Sequence, residues 1–326
     1  MAIQPGSAEL DPSYYSFAVA ASVPSLPDES HVPPRGEARL DPEGVRPPSR
    51  RGRLGGARVR RTIDLSCRLA LGVVWILGVA GCGDRSLILV GGRSSAMRDG
   101  LIGLWHFDEM TGTMAADSSG KGNHGLLRFA DSSSVWVPGK FGNALAVEAG
   151  GYVLVPFSST IDGIATGVTV SAWVFLEGTI EEYGTAISRQ IPAGSGLEQY
   201  YHLSLRNPDA IPNLFVSPTL PPAQLSGKAV APNTWVHLAG TYDEAAAGGN
   251  PSDREGIATL YVNGAPVGSK MIAGRFPADN TPVILGGNAN GSSVTELFPG
   301  RIDEIALYSR ALTSDEVAEL AQGPVL

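Results

Sequence analysis

Two acids stand near the two ends of a strand-rich stretch of the chain. Asp108 follows Leu104-Trp105-His106-Phe107, and Asp303 lies in Ile302-Asp303-Glu304-Ile305. Ca2+ takes six to eight oxygen ligands and accepts them from carboxylates and irregular backbone carbonyls. Acids at such positions suit a hard cation, and equally stand as solvated strand ends. Asp117, in Asp117-Ser118-Ser119-Gly120, is ambiguous, because Asp and Ser in such a run also cap a turn without an ion. His106, His124, His202 and His237 fall on separate segments, with no HExxH spacing and no cysteine beside them, which argues against zinc. Catalytic patterns are equally missing. There is no GxSxG elbow and no cysteine beyond Cys82. Glu177, Glu181 and Glu182 sit in a Gly-containing turn region, without the alternation that would aim two carboxylates at one glycosidic bond. The expectation is a protein that is not an enzyme.

Cys67 and Cys82 are the two cysteines, so no disulfide framework is available. Both flank one apolar stretch. Leu69 to Ala80 reads LALGVVWILGVA, preceded by Arg60, Arg61 and Arg68 and followed by Gly81-Cys82-Gly83-Asp84. A bilayer-spanning helix takes about 20 apolar residues, so this shorter run, with its basic flank and small residues before a cleavage point, reads as an export signal. Val79-Ala80-Gly81-Cys82 resembles the bacterial lipobox, which makes Cys82 the expected lipidated first residue of an exported chain. Gly83, rather than Asp, after the cysteine favours outer-membrane or cell-surface sorting. Residues 1–58 are rich in Pro and Arg without apolar periodicity and read as a disordered leader or an over-extended gene start. The expected organisation is 1–58 leader, 59–81 signal, 82–100 lipidated cysteine and tether, and 101–326 one folded domain.

Charge is uneven along the chain. Residues 1–68 carry ten Arg against eight Asp or Glu, a balance of +2, so a formal net charge of −8 leaves −10 for the rest. An acidic domain lacks the phosphate attraction that drives nucleic-acid binding, which excludes DNA and RNA as partners. The membrane, through the lipid anchor, and a glycan or envelope protein are the expected partners.

The chemistry must be positioned by strands. Short alternating apolar runs recur at 104–107, 144–147, 152–155, 168–175, 201–205, 235–239, 258–262, 282–285 and 302–308, between turns supplied by 41 Gly and 24 Pro. Period-two alternation buries one face of each strand against a second sheet. Asn263-Gly264 between two runs predicts a tight hairpin. Thr313-Ser314-Asp315-Glu316 predicts a capping box opening one short C-terminal helix. Asp243 to Glu255 and Pro208 to Pro222 read as surface loops. Trp105, Trp136, Trp173 and Trp235 read as core packing.

Gly103-Leu104-Trp105-His106-Phe107-Asp108-Glu109, Gly139-Lys140-Phe141-Gly142-Asn143-Ala144-Leu145, Val170-Ser171-Ala172-Trp173-Val174, Leu260-Tyr261-Val262-Asn263-Gly264 and Gly300-Arg301-Ile302-Asp303-Glu304-Ile305, in this order, resemble the laminin-G-like jelly roll. This resemblance, over about residues 101–321, implies an all-β, two-sheet antiparallel sandwich of the concanavalin A type. It also implies a binding or adhesion module for a glycan or protein at the cell envelope, and a structural Ca2+ held by Asp108 and Asp303 where the first and last strands meet. A carbohydrate-active enzyme or a purely structural envelope protein are the alternatives, since fold alone does not decide function.

Overall fold

The structure, a computed structural model, describes residues 8–9, 96–132, 135–147, 150–190, 199–218, 222–244, 255–276, 278, 280–290 and 293–324. The leader, the signal, Cys82 and most of the tether lie outside the described residues.

Two antiparallel sheets form the sandwich. Chain order starts with β1 (Ala8–Glu9) and β2 (Leu101–Trp105). Sheet I contains β3 (Met114–Ala115), β4 (Gly125–Arg128), β7 (Tyr152–Val155), β9 (Tyr183–Gln190), β10 (Gln199–Arg206), β11 (Ile211–Val216), β12 (Ala223–Ser226) and β16 (Val283–Leu285), in the spatial order β12-β11-β10-β9-β16-β7-β4-β3. Sheet II contains β5 (Trp136–Pro138), β6 (Asn143–Ala146), β8 (Gly167–Leu176), β13 (Trp235–Asp243), β14 (Glu255–Val262), β15 (Ala265–Ala273) and β19 (Gly300–Tyr308), in the order β15-β14-β13-β8-β19-β6-β5, with β2 also paired to β19. A small third sheet joins β17 (Asn288–Asn290) and β18 (Ser293–Thr295) to β1.

Alternation decides which face each side chain serves. On β10, Tyr201, Leu203 and Leu205 enter the inter-sheet core, where they meet Val168, Val170, Val174, Leu238 and Leu260 of sheet II. His202 and Ser204, between them, point to the opposite face. Burying each large aliphatic side chain of this kind contributes about 1.5–3 kcal/mol, so a one-residue slip would reverse both faces at once.

The local signals act where they stand. Asn263 and Gly264 have φ of 50° and 79°, and Val262 pairs with Ala265, which makes a two-residue hairpin. Gly264 is required twice, because a Cβ there would also lie 2.9 Å from the Ala318 Cα. The helix Ser314–Leu320 carries its capping box, with Thr313 Oγ1 accepting from Glu316 N–H and the Glu316 carboxylate accepting from Thr313 N–H. It packs Val317 and Leu320 with Tyr261, Ala306 and Tyr308 on the outer face of sheet II.

Two readings are corrected. Pro208 to Pro222 is not one loop, because Ile211–Val216 is strand β11, paired to both β10 and β12. Trp235 is not a core residue, and Trp173, although buried, faces away from the core between the sheets. They alternate with Val174 and Val236 and so lie on the outer face of sheet II, where Lys140 Nζ stands 4.5 Å from the Trp173 ring centroid and Trp235 packs on Phe175. Trp105 is core and fully buried, its Nε1–H donating to Asn123 O at 3.0 Å.

His237, on β13, is buried beside Ser171 and Trp173, and burial lowers its pKa from 6.5 to about 3. The unfolded chain therefore binds a proton at this site that the folded chain refuses between those two values, and folded stability falls as pH drops through that window. Between pH 6 and 4 this single imidazole contributes a slope of about 1.4 kcal/mol per pH unit. Urea unfolding of the wild type and His237→Gln at pH 6 and pH 4 should show a smaller loss for the variant. Equal losses would exclude His237 as a source of acid sensitivity.

Candidate functional site

The two acids expected to hold Ca2+ do meet, but around a turn. Gly139 to Gly142 connects β5 to β6, and both acids grip it. Asp303 Oδ2 accepts from Lys140 N–H at 2.8 Å and Phe141 N–H at 3.0 Å, while Oδ1 accepts from Glu304 N–H at 2.8 Å. Asp108 Oδ1 accepts from Asn143 N–H at 2.7 Å. Gly142, at φ 57°, leaves room for this approach, since a Cβ there would lie 2.1 Å from Asp108 Oδ1.

A calcium shell needs free oxygen lone pairs, whereas the Asp303 carboxylate is met by three N–H donors. Among the described residues no group of three or more His, Cys, Asp or Glu is placed to hold a metal ion. Burial raises the Asp303 pKa to about 7 against the pull of those N–H groups. Next to it, His106 Nδ1 lies 2.9 and 3.0 Å from the two Glu304 oxygens, and this hydrogen bond raises the His106 pKa despite burial. Asp117 is likewise a local organiser. Its oxygens accept from the N–H groups of Leu104, Ser119 and Asn123 and from the Ser119 hydroxyl.

A cluster of aromatic and polar side chains lies on the outer face of sheet I. The rings of Tyr183 on β9, His202 on β10 and Phe215 on β11 pack together. His202 and Phe215 are stacked at 5.6 Å with planes 5° apart, and Tyr183 meets each edge-on at 5.5 and 5.8 Å. Around this cluster stand Thr185, Ser204, Asn213 and Gln224 from the sheet, with Asn288 and Glu296 from the segment that contains β17 and β18. Burial lowers the His202 pKa to about 3, so the ring is neutral.

His202 Nε2 lies 2.7 Å from Thr185 Oγ1 and 3.6 Å from Glu296 Oε2. The carboxylate on that side places the ring proton on Nε2 and makes Nδ1 an acceptor. Asn213 is oriented by Gln224 Nε2 and the Ser226 hydroxyl, which donate to its Oδ1 at 3.0 and 3.2 Å, leaving Nδ2 as the outward donor. Asn288 is oriented oppositely, because its Nδ2 donates to Glu296 Oε2 at 2.9 Å and leaves Oδ1 as an acceptor. His202 Nδ1, Ser204 Oγ, Asn213 Nδ2 and Asn288 Oδ1 are buried and have no hydrogen-bond partner among the described residues. Native interiors tolerate few such groups, each costing about 1–3 kcal/mol, and four on one face beside an aromatic cluster mark buried polar capacity that the described residues leave unused.

Sequence reasoning missed this site. His202 was visible only as one scattered histidine, and Asn213 and Phe215 lay in a stretch read as loop. The alternation His202-Leu203-Ser204 was the one available signal, since it places two polar side chains opposite a core leucine.

The model of the concanavalin A-like lectin/glucanases superfamily matches residues 148–318, slightly more than half of the chain. The chain belongs to that superfamily. No curated protein sequence matches it. Among solved structures it resembles domain 4 of AbnA, an extracellular arabinanase from Geobacillus stearothermophilus, determined with arabinotriose, at 23% identity over 68% of this chain and 98% of that one, with a TM-score of 0.48. It also resembles the binding domain of botulinum neurotoxin serotype D, at 17% identity over 71% of this chain and 53% of that one, with a TM-score of 0.51. The serotype D domain determined with N-acetylneuraminic acid gives 15% identity over 71% and 53%, with a TM-score of 0.50. The chain thus spans about half the length of the toxin domains, and at these identities the likeness is one of fold.

Asp303→Asn turns one accepting oxygen into a donor facing N–H groups. It should cost about 2–4 kcal/mol, a fall in melting temperature of roughly 5–15 °C at about 2–4 °C per kcal/mol. Wild-type melting should be the same in excess calcium and in chelator, on protein first shown to be metal-free. A chelator-induced fall that Asp303→Asn abolishes would instead make Asp303 a calcium ligand.

Proposed function

We propose that the chain is a non-catalytic binding module that takes a glycan on the outer face of sheet I. The observation that carries this reading is the set of four unpaired donors and acceptors, oriented by their neighbours and set beside Tyr183, His202 and Phe215. A sugar offers hydroxyls that both donate and accept, plus an apolar ring face for an aromatic edge or face. Ser204 and Asn213 can donate to such hydroxyls, and His202 Nδ1 and Asn288 Oδ1 accept from them. Family membership supports the same class of ligand. No catalytic pair is part of the reading, since Glu177 is held by Arg301 through bonds of 2.6 and 2.9 Å.

A glycan array run beside hydrolysis assays on the same polysaccharides tests it. Binding without turnover is expected, and Asn213→Ala, which deletes an unpaired donor, should weaken binding about 5- to 100-fold, equivalent to ~1–3 kcal/mol. Turnover at enzymatic rates, or unchanged affinity in folded Asn213→Ala, would refute the reading.

The module is further proposed to be exported and lipid-anchored to the envelope through Cys82, on the strength of residues 59–82 alone. Cells expressing Cys82→Ala should release into the soluble fraction a chain that the wild type retains in membranes. A full-length mutant still bound to membranes would end the lipoprotein reading.

A further inference from the structure

Resting on the glycan reading of this face, we infer that the site selects uncharged sugar residues and turns away carboxylated ones, with Glu296 as the residue that discriminates. The four buried, unpaired groups beside the rings are uncharged, namely an imidazole, a hydroxyl and two amides, and Arg206 Nε on β10 is a charged one of the same kind. Beside His202 and Asn288 the formal charge is negative. Glu296 Oε2 lies 3.6 Å from His202 Nε2 and is held there by Asn288. Glu182 lies close enough to interact electrostatically with both Glu296 and Tyr183.

The cation on this face is Arg206, the strand partner of Tyr183, two residues beyond Ser204 on β10. It interacts with the Tyr183 hydroxyl, which also feels Glu296, and along β10 it lies four residues from His202, beside which Glu296 stands. A ligand carboxylate brought against His202 and Ser204 would face Glu296 where little water remains to screen it. Two like charges in such a setting repel several-fold more strongly than in bulk water. A neutral sugar meets no such penalty and can donate a hydroxyl to the same carboxylate, a charge-assisted bond stronger than a neutral one.

The test uses the full chain and matched ligands: neutral hexose oligosaccharides of several linkages, and the same oligosaccharides after oxidation of C6 to the carboxylate. Titration calorimetry at pH 7.5 and low salt should give the neutral form an affinity at least about tenfold above its oxidised partner. Glu296→Gln, which keeps an oxygen for Asn288, should reduce that ratio by about tenfold or more. If Glu296→Gln does not fold, the wild-type ratio alone decides. An oxidised form that binds as well as the neutral one, with Asn213→Ala weakening both, would overturn the selectivity and leave the glycan site standing. So would a ratio unchanged in folded Glu296→Gln. No binding of either form would remove the site and the selectivity together.

Discussion

Strand β19 is the seam on which sheet II depends. It pairs with β8 on one side and with β6 and β2 on the other, so without it the sheet separates into pieces with no shared hydrogen bonds. Ile305 lies opposite Trp105, a closure over about 200 residues, and such long-range pairing costs loop entropy before its contacts return anything. The seam is irregular at its centre. The register shifts between Asp303 and Ala306, and Glu304 takes a φ of 48°. This bulge turns the Asp303 carboxylate toward the Gly139–Gly142 turn, tying the last strand to an early hairpin with two bonds that no apolar side chain could make.

The two outer faces use the same alternation differently. On sheet II the outer surface is partly roofed by the C-terminal helix, which buries Tyr261 and Tyr308. Beside the helix, the same face carries Trp173, covered by Lys140 and Phe141, and Trp235, which packs on Phe175. On sheet I, Tyr152, Leu154 and Ile284 are covered by the small β17–β18 hairpin through Ala289 and Val294. That hairpin brings Asn288 and Glu296 to the edge of the polar strands. One element therefore both closes an apolar patch and supplies two residues of the candidate site.

Retaining unpaired groups beside His202 costs the fold stability that apolar substitutes would return. Leu203 and Leu214, facing the core from the same strands, supply part of what offsets it. Rigid strands hold the groups in place, and their neighbours set which atom each presents, so a ligand need not order them. The face can therefore favour one hydrogen-bonding pattern.

The sequence by itself determined the class of fold and its punctuation. Alternation at 168–175, 201–205 and 235–239 identified the strands, Asn263-Gly264 the hairpin and Thr313 with Glu316 the helix start, because each is a local rule acting over two to five residues. It also singled out Asp108 and Asp303, but not what they do. A carboxylate at such a position is compatible with a cation or with N–H donors, and only tertiary packing brings the N–H groups of Lys140 and Phe141 to Asp303. The candidate site was illegible for the same reason. His202, Asn213 and Phe215 sit on separate strands, and Glu296 lies 94 positions beyond His202. Pro212 disguised β11, since proline weakens a strand signal while tertiary pairing on both sides overrides it. Hydrogen bonds across strands, absent from any local window, chose which polar atoms are satisfied and which remain for a ligand.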